Sequence, residues 1–140
     1  MIRKLEEKDI NEVMNIWLET NIKAHNFIPE QYWENNIENV KNEILKAEVY
    51  VYEKEKKIVG FVGIVKDYVA GIFVTKDMQN NGIGKQLINK CKEKHNELTL
   101  EVYEKNKNAI NFYKKEGFYI ISQNIDDQTK EIELCMKWNK

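Results

Sequence analysis

Proline and glycine are scarce in this chain: Pro29 is the only proline in 140 residues, and there are six glycines. That excludes a proline- or glycine-rich linker. No internal repeat or low-complexity stretch interrupts the sequence either, so one domain spanning residues 1–140 is expected. Cysteine is almost as rare. Cys91 and Cys135 cannot build a disulfide framework and suit a reducing compartment. Cys91 and His95 fall on one helix face, but a zinc site needs more ligands than these, so no metal is expected. The longest apolar run, residues 58–65, is too short to span a bilayer. The amino terminus turns acidic at once and lacks the apolar stretch of a leader. Net charge is close to nil, 22 basic against 23 acidic residues, which argues against a large nucleic-acid footprint. Arg3 is the only arginine, so any further side-chain contact to phosphate must come from lysine, a point charge rather than a fork. The expectation is a cytoplasmic chain with no membrane or nucleic-acid partner, as a monomer or homodimer.

What the chain does have is clear periodicity. Residues 1–5 alternate weakly and predict a first strand. Asp9 is placed to cap a helix with Ile10, Val13, Met14 and Trp17 on one stripe, fraying near residues 23–27. Pro29 opens a second helix, with Trp33, Ile37, Val40 and Ile44 at helical spacing. From Ala47 the period becomes that of strands. Residues 49–52, 58–65 and 68–75 read as an antiparallel meander joined by short polar turns. A helix from Lys85 to about Asn96 leads to a strand at 98–103, which the intervening helix makes a parallel neighbour of residues 69–74. Asn106 caps a helix through Ala109, Ile110, Phe112 and Tyr113, and Gly117 is its left-handed C-terminal cap. Residues 118–123 and 131–138 close the chain as a hairpin around 126–129. The order is β-α-α-β-β-β-α-β-α-β-β, an α/β chain with a mixed sheet.

Between the strand at 69–74 and the helix that follows lies Met78-Gln79-Asn80-Asn81-Gly82-Ile83-Gly84-Lys85. A strand that turns through glycines into a helix aims free backbone N–H groups and the positive end of the helix dipole at one point. Phosphate is the usual occupant of such a site. The P-loop spacing is not met, since a single residue separates Gly82 from Gly84 and Gln86 follows Lys85. The dinucleotide fingerprint fails as well, with Leu87 where its third glycine belongs. Gln-x-x-Gly-x-Gly remains, at Gln79, Gly82 and Gly84.

That loop resembles the pyrophosphate loop of the GCN5-related N-acetyltransferase (GNAT) family. Asn106-x-x-Ala109-x-x-x-Tyr113, followed by Gly117-Phe118, resembles the same family's last-helix signature, one βα unit downstream. The strand order, read from periodicity alone, is also the family's. Motifs and order together cover roughly residues 47–138, and the two amino-terminal helices fit the remainder. The resemblance implies a small single-domain enzyme of the bacterial type. It would move the acetyl group of acetyl-CoA to a primary amine of a small molecule or peptide, directly in a ternary complex, with coenzyme A as product. It implies that the two parallel strands splay, so that the pantetheine arm pairs with the edge of Ile72, Phe73 and Val74. A bulge near Gly71 would free an N–H for the acetyl carbonyl. The cofactor-binding residues carried over are Gln79, Asn80, Asn81, Gly82, Ile83, Gly84 and Lys85 around the pyrophosphate, with Asn106 touching the coenzyme arm. Lys85, Lys107 and Lys114 are candidates for the phosphates, or plain solvated charges.

Tyr113 stands where the family's general acid stands; a phenol near pKa ~10 can protonate a departing thiolate. Glu101 lies five residues before Asn106, as a catalytic glutamate does in some members, and is the candidate base. Leu98, Leu100 and Val102 face one way, so Glu101 faces the other. A central strand covered by helices predicts a buried carboxylate of raised pKa. A structural glutamate, or a water chain acting as base, stays open beside that reading. His25, Phe27 and Tyr32, in an aromatic-rich loop between the first two helices, are candidates for the acceptor pocket, by resemblance to a small bacterial subgroup with a His-x-Phe; core packing is the alternative. Two other functions fit the same fold: a non-catalytic acyl-CoA-binding sensor and a protein-interaction module.

Overall fold

A computed structural model describes residues 1–140. The elements are β1 (Ile2–Lys4), α1 (Ile10–Ala24), α2 (Glu30–Asn35), α3 (Ile37–Lys46), β2 (Glu48–Lys54), β3 (Lys57–Val65) and β4 (Tyr68–Val74). They continue with α4 (Ile83–Lys94), β5 (Glu97–Tyr103), α5 (Lys107–Lys115), β6 (Tyr119–Ile125) and β7 (Ile132–Asn139). All strands join one seven-stranded sheet in the order β1-β2-β3-β4-β5-β7-β6. β1 to β4 run as an antiparallel meander, and β5 is parallel to β4. The last strand, β7, inserts between β5 and β6.

Alternation along the strands divides the core in two. Val62, Val69, Leu98, Leu100 and Met136 point to one face, where Leu87, Ile88 and Cys91 of α4 and Ile110 of α5 close over them. Val49, Val51 and Phe61 point to the other, against Val13, Trp17, Trp33 and Ile44 from α1 to α3. Each helix thus buries the stripe its spacing announced. Gly117 ends α5 at φ +94°, and the bonds Phe118 N–H to Tyr113 O (3.0 Å) and Gly117 N–H to Lys114 O (3.1 Å) complete the left-handed cap.

Two local expectations are corrected. The helix expected to run on from Pro29 is broken at Asn36, whose side-chain amide donates to the Tyr32 carbonyl at 2.6 Å while its own backbone leaves helical geometry at φ −99°, ψ 0°. An asparagine that bonds its own preceding turn competes with the helix ladder. Asp9, in turn, does not cap α1 through its side chain. Its carboxylate accepts from the Glu6 backbone N–H at 2.8 Å and is held by Arg3, because it belongs to a short 3-10 turn, Glu7–Asp9, that precedes the helix.

Candidate active site

β4 and β5 are paired at a single register position, Tyr68 with Thr99, supported by Thr99 N–H donating to the Asp67 carbonyl at 2.9 Å. Beyond it the strands part. Ile72, Phe73 and Val74 pair with Val62, Phe61 and Gly60 of β3 on one side only, which leaves their other edge without a strand. The cause is local to β4: Gly71 pairs with Gly63 and Val69 with Ile64, so Ala70 is the extra residue of a bulge, one position from where it was expected. A bulge bends its strand and adds twist, and here it turns the upper half of β4 away from β5.

The wedge opens into a cleft of about 760 Å³. Its walls are the free edge of β4, the carboxyl-terminal turns of α1, and the start of α5. Its floor is the glycine loop, where Asn80 and Gly82 take positive φ of 66° and 80° and α4 starts at Ile83. Gly82 N-caps α4 without any side-chain bond. The backbone N–H groups from Asn80 to Lys85 have no acceptor within the chain; the first to find one is Gln86, on Gly82 O at 3.1 Å. Gln79 braces the loop by donating its side-chain amide to the Val74 carbonyl at 3.0 Å. Asn80, Gly82, Ile83, Gly84 and Lys85 line the cleft. Asn81 does not, because its side chain is spent on the Met78 and Gln79 carbonyls, both at 3.1 Å. Lys107 and Lys114 also lie outside the lining, whereas Lys23 and Lys76 are part of it.

The residues present fit a pyrophosphate-bearing coenzyme. Six adjacent amides without acceptors at a helix amino terminus suit twin phosphates, and the unpaired edge of β4 suits an amide-bearing arm. Thr75, where β4 leaves the sheet, carries a buried hydroxyl with no partner and lines the cleft. Sequence reasoning missed Thr75 and the α1 contributions Thr20 and Lys23, for no spacing marks where one helix ends over a cleft.

Tyr113 also lines the cleft, 8% exposed, with its ring against Phe112 and Phe118. Burial, and to a lesser degree Cys91, pushes its phenol well above the ordinary value, so it is a proton donor at neutral pH. Cys91 itself is pushed up to about 12 by burial, which leaves it an inert thiol in the core. Asn106 caps α5, its Oδ1 accepting from Ala109 N–H at 3.3 Å, and its Nδ2 lies 3.2 Å from His25 Nε2. His25 Nδ1 sits 3.0 Å from the Asn21 carbonyl, which fixes that nitrogen as the donor and Nε2 as the acceptor. Burial lowers the ring's pKa, and it stacks on Trp33 at 5.1 Å. Both ring nitrogens of His25 are therefore engaged within the chain, and the ring, which lines the cleft, ties α1 to the start of α5.

Glu101 departs furthest from expectation. It is exposed and accepts from the Tyr68 hydroxyl at 3.1 Å. α1 packs on β3 and β4, and Glu101 on β5 is left exposed, so this face of the central strand is open at Glu101 where burial was expected. On that open face the insertion of β7 sets Glu133 opposite Tyr103 and Cys135 opposite Glu101. Tyr103 is buried against Phe27, ring centroids 5.9 Å apart, and donates its hydroxyl to Asp126 at 2.8 Å. Tyr32 feels the charge of both Asp126 and Glu133. Phe27 and Tyr32 therefore flank this face and not the cleft.

Glu133 was not singled out from sequence, and only the strand order could have found it. Partial burial, then Glu101 and Asp126, push its carboxyl up to about 7. A carboxyl raised in the folded state holds a proton that the unfolded chain has released. Stability therefore falls as pH rises from the ordinary 4.5 to about 7. Glu133→Gln is expected to flatten that slope in melting curves taken across the window; equal slopes for variant and wild type would remove Glu133 as its source.

Comparisons with known proteins agree with this geometry. Residues 46–120 match the model of the acetyltransferase (GNAT) domain family. The chain is 36% identical to the peptidyl-lysine N-acetyltransferase YiaC of Escherichia coli K12 over 140 residues, 99% of this chain and 96% of that one. It is 27% identical to the peptidyl-lysine N-acetyltransferase YjaB of the same organism, over 95% of this chain and 92% of that one. The solution structure of apo YjaB superposes with a TM-score of 0.86 at 25% identity, covering 99% of this chain and 96% of that one. A wedge between parallel strands, a phosphate-ready loop and near full-length similarity lead to one conclusion: the chain belongs to the GNAT family and is an acetyl-CoA-dependent N-acetyltransferase that acetylates an amine.

Proposed function

We propose that the acceptor is the side-chain amine of lysine in a peptide or protein, and that the enzyme works in the cytoplasm, where two unpaired cysteines are at home. The observation that carries the acceptor is the open sheet face beside the β4–β5 junction. Glu101, Asp126 and Glu133 lie there with no Lys or Arg in ion-pair contact. An ammonium on a flexible stem supplies the missing positive charge, and an open face leaves room for the peptide to either side of the stem. The relatives named above are both peptidyl-lysine N-acetyltransferases.

In this reading Ile72, Phe73 and Val74 present backbone groups to the pantetheine arm. The amides from Asn80 to Lys85 receive the pyrophosphate, with Gln79 bracing them, and Asn106 offers the amide hydrogen that His25 leaves free. Acetyl-CoA supplies the thioester whose carbonyl carbon the amine attacks. Glu101 takes the ammonium proton, Phe27 and Tyr32 flank the acceptor's stem, and Tyr113 protonates the sulfur as the C–S bond breaks; the second proton shed by the nitrogen as the amide forms restores the Tyr113 phenol. Holding the thioester in the cleft and the amine on the open face beside it supplies the alignment.

The test is free-thiol release on three acceptors: a peptide with an internal lysine and a blocked amino terminus, the same peptide with a free terminus and no lysine, and a polyamine. Turnover is expected on the first, with the acetyl group mapped to lysine Nζ by mass spectrometry. Turnover confined to the other two would overturn the lysine reading.

A further inference from the structure

A second cavity of about 270 Å³ lies on the α1–α3 side of the sheet, and nine of its twelve lining residues are hydrophobic, among them Trp17, Ile44, Phe61 and Ala70. Phe73 is the one residue that lines both this cavity and the coenzyme cleft, so it is the residue that stands between them. The ring is firmly seated. It packs on Phe61 with centroids 5.0 Å apart and planes 31° apart, and it lies over Gly71, where any Cβ would overlap its edge. Gly71 adjoins the bulged Ala70, and the free edge of β4 begins with Ile72. Phe73 therefore stands where β4 turns away from β5, with the polar cleft on one side and an apolar chamber on the other.

We propose that Phe73 determines acyl-chain length: its ring holds the wild-type enzyme to acetyl, and the chamber behind it is a latent site for the apolar tail of a longer acyl-CoA. A longer chain on the thioester has to leave the cleft, and the chamber is the mostly apolar space next to the bulge. Phe73 stands between it and the cleft, and Glu43 is the only charged residue of its lining. With the ring gone, each methylene that moves from water into the chamber strengthens binding. This inference rests on the coenzyme occupying the cleft as described above.

Calorimetric titration with acetyl-CoA and hexanoyl-CoA tests it without any acceptor. Wild type is expected to prefer acetyl-CoA. Phe73→Ala is expected to reverse the preference, shifting the affinity ratio toward hexanoyl-CoA by about tenfold or more. Gly63 lines the chamber, and a Cβ added there meets only Val49, at 3.9 Å. Phe73→Ala/Gly63→Val is therefore expected to refill the space and restore the wild-type ratio. Should Phe73→Ala lose all coenzyme binding, Phe73→Val is the deciding variant on the same ratio. An unchanged ratio in a variant that binds acetyl-CoA, or a gain that survives Gly63→Val, overturns the proposal. Wild type that fails to bind acetyl-CoA would instead sink the placement of the coenzyme, before any variant is made.

Discussion

Tyr113→Phe is expected to lower kcat about a hundredfold, the lower end of what a positioned proton donor contributes, while acetyl-CoA affinity stays close to wild type. The side chain lines the cleft, and its ring is fixed between Phe112 and Phe118. Phenylalanine keeps that packing and removes only the oxygen. No partner within the chain accepts from or donates to this hydroxyl, so the substitution orphans nothing and stability is retained. The phenol's raised pKa keeps it protonated across the working range, as a donor to departing sulfur requires. A donor that acts only as the C–S bond breaks is felt in kcat and not in coenzyme binding. Equal kcat in variant and wild type would take Tyr113 out of the acid role; a matching loss of affinity would make it a binding residue instead.

Arg3→Met is expected to cost about 3–5 kcal/mol, as breaking a buried ion pair does, and to lower Tm by about 10 °C. The single arginine of the chain grips Asp9 with both ends of its fork, Nη1 to Oδ2 at 2.7 Å and Nη2 to Oδ1 at 3.0 Å, and reaches Glu53 through Nε at 2.7 Å. Asp9 is only 3% exposed. Methionine leaves its carboxylate buried and without a cation. The pH dependence gives a second readout. The hydrogen bonds from Arg3 hold Asp9 below the usual carboxylate value, so this pair stabilises the fold above about pH 4 and the contribution is lost as pH falls through the folded value. In Arg3→Met the uncompensated burial of Asp9 raises its pKa, so acidification from neutrality is expected to stabilise the variant. Arg3→Met/Asp9→Leu is expected to recover most of the loss, since apolar replacement of a buried pair is often neutral. A Tm for Arg3→Met within the error of wild type would show that the pair contributes nothing net.

Much of the fold was legible because it is written in local spacing. Leu87, Ile88 and Cys91 mark one face of α4, and Gly117 marks the end of α5 by a conformation that side chains avoid. The loop was legible for the same reason: Gly82 and Gly84 stand at fixed positions where backbone, rather than side chain, meets a phosphate. Glu101 was not. Its exposure depends on what covers that face of the sheet, which no feature of residues 97–103 encodes. Asp9 was misassigned because a short 3-10 turn and a helix start share the same first-turn residues; the competing partner was Arg3, on strand β1.

From the sequence alone come the order of elements, the apolar faces, the family and the anion-binding loop, because periodicity and glycine placement act between near neighbours. Only the tertiary structure decides that β7 enters between β5 and β6, bringing Glu133 opposite Tyr103 beside Glu101, and that Phe73 borders two cavities. Both follow from strand order and from which side chains meet across a sheet. Those contacts join residues far apart in the chain, and burial, charge and shape are set by what they meet.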